Sequence, residues 1–343
     1  MADFVSDRYS RQVLFPGIGA DGQQRLSSSC VAIAGCGALG AFQAGALARA
    51  GVGRLILIDR DYVEWSNLQR QWLYDEEDAR QALPKAVAAA RKLATINSEV
   101  NVRAEIADLT SRNIDDLLDD AAIVLDGTDN FETRYLINEY AVKRGIPWVY
   151  GGAVSSYGVV MPVVPDRAAC FACAYPTPPS GAQATCDTAG VINTITSIVA
   201  SLQVSWVYRL LLAGAAEAWQ PLKVTTIDVW TGQMRQISVP PRRSDCQVCG
   251  LRQFPYLDGE RRAPISLCGR NAVQIHERQR PVDLARLAEQ LQAVAKNLRL
   301  NEFALRAWLD DFEMTVFPDG RAIIKGTTDP GVARSIYARY IGS

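Results

Sequence analysis

The sequence has a single histidine, His276, among its 343 residues, and its formal net charge at pH 7 is only -1. Histidine is the side chain used most often for general acid–base catalysis. Its scarcity argues against a mechanism built on histidine, and we expect His276 to be an ordinary surface or hydrogen-bonded polar residue. The balanced charge gives no general basic surface for nucleic acid.

Two further features are missing, a signal peptide at the start of the chain and an unbroken apolar run. The longest apolar stretch, residues 191–213, contains Asn193, Gln203 and Arg209, so we predict a buried or dimer-interface helix there rather than a membrane span. Without a signal peptide we expect a cytoplasmic protein whose cysteines stay reduced. The hydrophobic fraction of 48% allows a large core, and the length suggests two domains.

What the sequence does contain begins with a glycine turn. The letters GCGALG, with Gly35, Gly37 and Gly40, follow the apolar run 30–34 and open an Ala-rich stretch that continues to residue 50. This pattern predicts a strand, a tight turn and a helix, as in a Rossmann-like doubly wound α/β sheet. Glycines in such a turn let the backbone approach a phosphate, which the N–H groups at the helix start can hold. The motif alone also fits a sharp turn in any α/β protein.

Polar residues that suit a nucleotide follow the glycine turn. Asp59 ends a second apolar run, 54–58, about 20 residues past the turn, where a carboxylate can accept hydrogen bonds from ribose hydroxyls. The segment SNLQRQ then places Asn67 and Arg70 three residues apart, on one face if the segment is helical. Lys85 stands near the start of a predicted helix. Each cation alone could be a solvated surface residue, but together they suit a phosphate chain. An NAD enzyme would not need the SNLQRQ segment.

A third strand end supplies acidic residues. The apolar run 121–125 is followed by the letters DGTDN, residues 126–130, and ligands of open α/β sheets gather at such strand ends. Mg²⁺ beside a triphosphate commonly uses one or two protein carboxylates. We predict that Asp129 binds Mg²⁺, and that the cap of the helix that follows is Asn130 or Thr128.

The cysteines give a second signal, because four of them form two CxxC pairs, Cys170 with Cys173 and Cys246 with Cys249. Four thiolates suit a closed tetrahedral structural zinc site. Because the pairs lie far apart in sequence, the ion would tie the end of the domain back to its middle. Disulfide bonds are the alternative, which a reducing compartment disfavours.

A further cysteine, Cys186, lies in residues 175–190, which are rich in proline, glycine and small polar residues and predict a loop. Nothing nearby in sequence would clearly lower the pKa of its thiol. We keep Cys186 as a candidate catalytic residue.

These motifs together resemble the ThiF/MoeB/HesA adenylyltransferases, the bacterial relatives of ubiquitin-activating enzymes. The resemblance covers about residues 8–250. The motifs that carry it are RYSRQ at residues 8–12, GCGALG, SNLQRQ, Pro84-Lys85, GTDN, CFAC and CQVC. The roles that the resemblance implies are Gly37 beside the nucleotide, Asp59 on the ribose, Asn67, Arg70 and Lys85 on the phosphates, and Asp129 on Mg²⁺.

The resemblance also implies a homodimer. Arg11, the second arginine of RYSRQ, resembles the arginine that members of this family donate from one subunit into the ATP site of the partner. Spacing alone would make Arg11 an ordinary solvated residue. For Cys186, two residues before Thr188-Ala189-Gly190, the resemblance implies either a covalent link to the carrier through sulfur or no essential function.

The reaction that the resemblance implies is adenylation of a ubiquitin-like sulfur carrier ending in Gly-Gly, with ATP as co-substrate, in thiamine, molybdopterin or related sulfur-transfer biosynthesis. The carrier's carboxylate attacks the α-phosphorus and pyrophosphate leaves. Because a C-terminal carboxyl has a pKa of about 3.3–3.7, it is already ionised and needs no general base. A sulfurtransferase or a cysteine desulfurase is a further candidate partner, as the source of sulfur.

The C-terminal part of the sequence changes character. We predict an adenylation domain over residues 1–250, a linker at 251–263 and a small α+β module at 264–343, with a helical pattern over 282–298 and strands after it. Some relatives carry a rhodanese domain there, but Cys268 stands at the start of the module rather than in a late loop. The module is therefore expected to dock a carrier or another enzyme, or to extend the packing.

Three other functions remain open at this stage. The first is adenylation of a small-molecule or tRNA-linked carboxylate, as in the threonylcarbamoyladenosine dehydratases, against which the paired cysteines argue. The second is an NAD-dependent oxidoreductase. The third is a zinc-stapled scaffold that binds a carrier without catalysis.

Overall fold

The computed structural model describes residues 7–178, 186–212, 221–260, 266–267, 272–275 and 281–342. Its contacts divide the chain into two compact units, an N-terminal unit Met1–Arg262 and a C-terminal unit Ala263–Ser343. Each unit is described by itself below. His276 and Cys268 lie outside the described residues.

The boundary between the units, after Arg262, falls at the end of the predicted linker, 251–263. In the described part of that segment, the Arg252 guanidinium donates a hydrogen bond to the carbonyl of Val142 at 3.0 Å. The ring of Tyr256 stacks on that of Tyr135 with centroids 5.1 Å apart. Residues up to 260 therefore pack on the N-terminal unit instead of forming a linker.

The N-terminal unit is built on an eight-stranded sheet with the order β3-β2-β1-β4-β5-β6-β7-β8. Its strands are β1 Cys30–Ala34, β2 Arg54–Ile58, β3 Asn101–Glu105, β4 Ile123–Asp126, β5 Trp148–Val154, β6 Tyr157–Val163, β7 Lys223–Asp228 and β8 Gln233–Ser238. The first five strands in the spatial order pair in parallel and the last three are antiparallel extensions. Because β2 and β4 flank β1, the chain reverses its direction of winding there. This is the topological switch point at which open α/β sheets bind ligands.

Helices cover both faces of this sheet. They are α1 Ser10–Val13, α2 Gly19–Ser28, α3 Ala38–Arg49, α4 Glu76–Gln81, α5 Lys85–Ile96, α6 Ile114–Leu118, α7 Phe131–Arg144, α8 Phe171–Ala174, α9 Cys186–Ala189 and α10 Asn193–Leu212. Alternate residues of β1 enter different cores, since Val31 and Ile33 pack with α3 and α10 while Ala32 and Ala34 pack with α7. Burial on both faces explains why the β1 sequence is apolar at every position.

Helix α10 contains most of the apolar stretch noted in the sequence. Within the described residues, it is long and apolar enough to cross a membrane by length and composition alone, a test that the core helix of a globular protein also passes. Here Ile195 and Val199 lie in the core. The buried Gln203 amide donates to the carbonyls of Asp126 at 2.9 Å and Val149 at 3.0 Å. The helix is thus packed against the centre of the sheet.

The C-terminal unit has an antiparallel sheet with the order β11-β12-β13-β14-β10-β9. Its elements are β9 Ser266–Leu267, β10 Ala272–Ile275, α11 Leu284–Leu291, β11 Asn297–Leu300, β12 Leu305–Leu309, β13 Phe312–Val316, β14 Ala322–Lys325 and α12 Pro330–Tyr340. The predicted helical pattern over 282–298 is wrong beyond Leu291. Val294 is exposed and Leu298 belongs to β11, because helical spacing of leucines cannot by itself exclude a turn between two elements.

Candidate active site

The glycine turn, residues 35–40, joins β1 to α3 and meets a second loop at the sheet edge. Gly35 has a φ of +87°, and a Cβ at Gly35 would lie 2.6 Å from the carbonyl oxygen of Gly127. A Cβ at Gly40 would lie 1.8 Å from the carbonyl oxygen of Gly35. Gly37, which precedes the first turn of α3, differs because a Cβ there would meet only the amide of Gln71 at 3.9 Å. Gly35 and Gly40 therefore permit backbone packing, while Gly37 leaves room for a ligand at the helix start.

Asp59 ends β2 directly against the glycine turn. One carboxylate oxygen accepts the backbone N–H of Cys36 at 2.6 Å, and the other accepts that of Asp61 at 2.7 Å. Burial is the largest influence on Asp59 and raises its pKa, and Asp61 raises it further, while Lys85 and these two hydrogen bonds act in the opposite direction. Each carboxylate oxygen keeps lone pairs for further hydrogen bonds, as a ribose would need.

Lys85 begins α5 and lies beside Asp59. Its side chain is 3% exposed, and its ammonium group lies 3.3 Å from a carboxylate oxygen of Asp61. The backbone N–H of Lys85 also donates to the carbonyl of Asp61 at 2.8 Å. The buried hydroxyl of Tyr74 lies 2.7 Å from the carbonyl oxygen of Cys36 and 3.1 Å from that of Lys85. Tyr74, which the sequence did not single out, thereby connects the glycine turn to the start of α5.

The SNLQRQ segment is helical only at its start. A short 3₁₀ helix, Trp65–Asn67, ends within it, so Asn67 and Arg70 do not share a face of one helix. The buried Asn67 side chain accepts the backbone N–H of Glu64 at 3.1 Å, and the Arg70 guanidinium donates to the carbonyl of Ser66 at 2.8 Å. The capping interaction between Glu64 and Asn67 satisfies backbone N–H groups at the start of this turn.

The acidic loop, residues 126–130, follows β4 and contacts the glycine turn through Gly127. Asp126 is fully buried and accepts hydrogen bonds from the backbone N–H and the hydroxyl of Thr128 at 2.9 and 2.6 Å. Asn130 caps α7 by accepting the N–H of Thr133 at 2.8 Å, as one of our alternatives predicted. Asp129 is exposed at the sheet edge. The carboxylate oxygens of Asp129 are ligands of the kind that Mg²⁺ prefers, so the loop fits this ion.

The two CxxC pairs come together as predicted. Their four sulfur atoms lie within 4.8 Å of one another, with distances of 3.9 Å for Cys170 to Cys173, 3.8 Å for Cys170 to Cys246 and 3.4 Å for Cys173 to Cys249. A tetrahedron with Zn–S bonds of about 2.3 Å has edges of about 3.8 Å. The distances therefore fit zinc and are too long for disulfide bonds.

The surroundings of this cysteine cluster also suit a cation. Burial raises the pKa of Cys170, and it raises the pKa of Cys249 to about 12. Burial also acts to raise the pKa of Cys246, but N–H donors oppose it and the pKa of this thiol is lowered to about 7. The Asn138 amide on α7 donates to the sulfur of Cys170 at 3.7 Å and accepts the N–H of Phe171 at 2.9 Å. Zinc would displace protons from the thiols whose pKa is raised, and Asn138 would hold Cys170 in place.

Residues 9–248 match the ThiF family, and they make up more than half of the chain. The chain belongs to the ThiF family. This member is 43% identical over 341 residues to the sulfur carrier protein ThiS adenylyltransferase of Bacillus subtilis (strain 168), covering 98% of this chain and 100% of that relative. It is 37% identical over 252 residues to the sulfur carrier protein adenylyltransferase of Thermus thermophilus, covering 71% of this chain and 90% of that relative. The predicted resemblance is confirmed.

The fold is also similar to that of a solved structure. The crystal structure of E. coli MccB with MccA-N7isoASN superposes with a TM-score of 0.61 at 24% identity, covering 71% of this chain and 74% of that one. The identity is low, so this similarity concerns the fold. The predicted Rossmann-like α/β sheet is confirmed for the N-terminal unit.

Arg11 of this ThiF-family chain lies on α1, away from the sheet-edge residues. Its neighbours in the RYSRQ motif anchor the helix, since Arg8 donates to the carbonyl of Ile96 at 3.1 Å and Gln12 to that of Ala50 at 2.9 Å. Arg11 is exposed, and its guanidinium has no hydrogen bond or ion pair among the described residues. The anchored helix therefore presents Arg11 outward.

Cys186 is the first residue of α9, and its side chain lies outside the described residues. The backbone that follows α9 is fixed to the turn after β5, because Ser155 donates its N–H to the carbonyl of Gly190 at 2.8 Å and accepts that of Ile192 at 3.1 Å. The predicted loop 175–190 thus contains a short helix at its end, next to the central sheet.

Arg134 is a buried cation of the N-terminal unit that the sequence motifs did not single out. Arg134 on α7 donates to the carboxylate of Asp126 at 3.0 Å and to the carbonyl of Thr128 at 2.7 Å. The sequence contained a signal for this pair. Arg134 follows the strand-end acid Asp126 by eight positions and lies on a helix face that is otherwise rich in apolar residues. Such a residue is rarely buried unless it is paired.

Proposed function

We propose that this protein is an ATP-dependent adenylyltransferase that activates the C-terminal glycine carboxylate of a ubiquitin-like sulfur carrier protein. The observation that carries the proposal is the meeting of Gly37, Asp59 and Lys85 at the switch point of the sheet, with the exposed Asp129 on the loop that contacts the glycine turn. Family membership supports this chemistry. Similarity to the Bacillus subtilis ThiS adenylyltransferase over nearly the whole chain favours a ThiS-type carrier and thiamine biosynthesis over molybdopterin biosynthesis.

The nucleotide would bind along this edge. Asp59 would accept the ribose hydroxyls and the N–H groups at Gly37 would face a phosphate. Lys85, with Arg70 and Asn67 from the neighbouring turns, would hold the remaining phosphate oxygens. Asp129 would hold Mg²⁺, which supplies positive charge to the phosphate chain when it is bound.

The reaction requires that two anions meet. An oxygen of the carrier's terminal carboxylate bonds to the α-phosphorus, the bond from that phosphorus to the bridging oxygen breaks, and pyrophosphate leaves. The product is a mixed anhydride of the glycine carboxyl group and AMP. Because the carboxylate is already ionised at pH 7, no side chain has to remove a proton. Positioning and cationic stabilisation by Lys85 and Arg70 would therefore supply most of the rate.

The remaining parts of the proposal concern assembly. We propose a cytoplasmic homodimer in which Arg11 of one subunit completes the ATP site of the other. Zinc in the cysteine cluster would be structural, because four thiolates leave no open coordination position. A sulfurtransferase or a cysteine desulfurase would then supply sulfur to the activated carrier.

ATP–pyrophosphate exchange, measured with and without a carrier ending in Gly-Gly, tests the function. We expect exchange that depends on the carrier and is lost when its last glycine is deleted. It should fall at least about 100-fold in Arg70→Ala and in Asp129→Ala, and stay unchanged in Asp119→Ala, which alters an exposed acid at the end of α6. Exchange with a small carboxylate instead of a carrier, or nicotinamide binding without ATP affinity, would contradict the proposal.

A further inference from the structure

A buried ion pair lies directly behind the acidic loop. The Arg134 side chain is 8% exposed and the Asp126 side chain 0% exposed, with the Arg134 Nε atom 3.0 Å from Asp126 Oδ2. Burial opposes the positive charge of Arg134, but Asp126, Tyr150 and Asp129 together outweigh this effect and the pKa of the guanidinium is raised. The guanidinium therefore keeps its positive charge.

The guanidinium joins three backbone segments. One terminal nitrogen donates to the carbonyl of Thr128 at 2.7 Å in the acidic loop and lies 3.3 Å from the carbonyl of Gly151 in β5. Asp126, its ion-pair partner, ends β4 and also lies 3.4 Å from the N–H of Gly151. A planar fork of donors can hold several acceptors at fixed angles, whereas a lysine ammonium cannot. Arg134 thus fixes the acidic loop to β4, β5 and α7 at once.

Two aromatic rings restrict this guanidinium further. Its central carbon lies 5.0 Å from the ring centroid of Tyr150 and 5.3 Å from that of Phe131. Contacts of this kind stabilise an arginine and limit its rotamers. Asp129, an exposed residue of the loop, follows Thr128 directly.

The geometry points to Arg134 as a positioning residue that holds Asp129 in place for Mg²⁺, and this inference rests on the proposed function. Because the Arg134 side chain is buried behind the loop, it would not touch the nucleotide or the metal. It acts through the Thr128 carbonyl and the Asp126 carboxylate, which set the path of the loop just before Asp129. The adjacent contact of Gly35 with Gly127 then places the loop against the phosphate-binding turn.

The test measures how ATP binding depends on Mg²⁺, by calorimetric titration without a carrier. We expect Arg134→Met to raise the Mg²⁺ concentration required for half-maximal ATP affinity at least tenfold, and Arg134→Lys to raise it by a smaller factor. Binding of AMP without metal, which reports on Gly37 and Asp59, should change less than twofold in both variants. Arg144→Met, at an exposed ion pair on the same helix, is the matched control and should match the wild type.

An Asp129→Asn background gives a second readout. If Arg134 acts through Asp129, adding Arg134→Lys to Asp129→Asn should leave the remaining Mg²⁺ dependence unchanged. An unaltered Mg²⁺ requirement in Arg134→Lys would overturn the inference, as would equal losses of AMP and ATP affinity, which would make Arg134 a general determinant of folding. The lysine variant keeps the buried charge and so keeps the test valid if the methionine variant does not fold. A wild type that binds ATP with Mg²⁺ but exchanges no pyrophosphate with any carrier would defeat the proposed function and leave this test standing.

Discussion

Gly35 and Gly127 meet backbone to backbone at the carboxyl ends of strands β1 and β4 of the central sheet. A Cβ at Gly35 would lie 2.6 Å from the Gly127 carbonyl oxygen, and a Cβ at Gly127 would lie 2.4 Å from the Gly35 carbonyl oxygen. Neither residue can carry a side chain without moving a loop. The glycine turn and the acidic loop are therefore fixed to each other by the absence of side chains.

The first prediction separates two kinds of glycine in the turn. Gly35→Ala should lower the free energy of unfolding by roughly 1–3 kcal/mol, because it adds a clash at a positive φ. Gly37→Ala should cost less than about 1 kcal/mol, since its Cβ has space, but it should weaken ATP binding at least about tenfold by blocking the approach of a phosphate. Denaturant unfolding and ATP titration measure both effects. Full ATP affinity in Gly37→Ala would place the phosphates elsewhere.

The second prediction concerns pH and Asp59. Burial raises the pKa of this carboxyl in the folded protein, so it gains a proton at a higher pH than an ordinary aspartate, whose pKa is about 3.9. Protonation removes an acceptor that the ribose hydroxyls need. The affinity for adenosine, which has no phosphate that titrates, should therefore fall as the pH is lowered from 7.5 to 5.

The control for this experiment is Asp59→Asn, which cannot titrate at this position. Its adenosine affinity should be weaker than that of the wild type at pH 7.5 and should stay constant down to pH 5. A wild-type affinity that does not change with pH would show that the Asp59 carboxylate is not a ribose ligand, or that its pKa is not raised.

Zinc in the cysteine cluster gives the third prediction. We expect about one zinc per chain by elemental analysis, and its loss in Cys246→Ser with a lower melting temperature. Asn138→Ala should retain zinc but lose it to a chelator about 10–100-fold faster, because Cys170 would lack its amide donor. Cys30→Ala, which removes a thiol outside the cluster, should keep zinc as the wild type does. Equal zinc retention in Asn138→Ala would refute the supporting action of this residue.

The fourth prediction tests whether Arg11 acts across a dimer. Arg11→Ala and Asp129→Ala should each abolish pyrophosphate exchange. When the two variants are mixed and allowed to exchange subunits, half of the dimers are mixed and each has one intact site, so about a quarter of the wild-type activity should return. A mixture as inactive as its components would mean that Arg11 serves its own subunit, whereas full exchange by Arg11→Ala alone would mean that it has no part in the reaction.

The local patterns of the sequence predicted three strands of the parallel part of the sheet, β1, β2 and β4, and two of them accurately. The strands Cys30–Ala34 and Arg54–Ile58 have the predicted bounds, because an apolar run that ends at a glycine or an acid leaves little freedom in where a buried strand stops. The meeting of the CxxC pairs was also predictable, since four thiolates suit the coordination of one common ion.

Other features depend on contacts between distant segments, which local patterns indicate only indirectly. The burial of Arg134 requires that β4, β5 and α7 meet. In the C-terminal unit, β11 contains Leu298, whose spacing from the preceding leucines had suggested one longer helix. Tertiary pairing overrides helical periodicity there.

Cys186 gives the last prediction. If its thiolate attacks the carbonyl carbon of the carrier adenylate, AMP leaves and a thioester joins the carrier to α9, so a covalent complex that thiols cleave should form in the presence of ATP. Cys186→Ala should abolish this complex but retain pyrophosphate exchange, because adenylation precedes the attack and needs no thiol. Intact-mass spectrometry of the reaction mixture measures the complex, and Cys30→Ala serves as the control that keeps it. A thiol-sensitive complex that persists in Cys186→Ala would assign the linkage to another cysteine, whereas loss of exchange in the same variant would place Cys186 in the adenylation step itself.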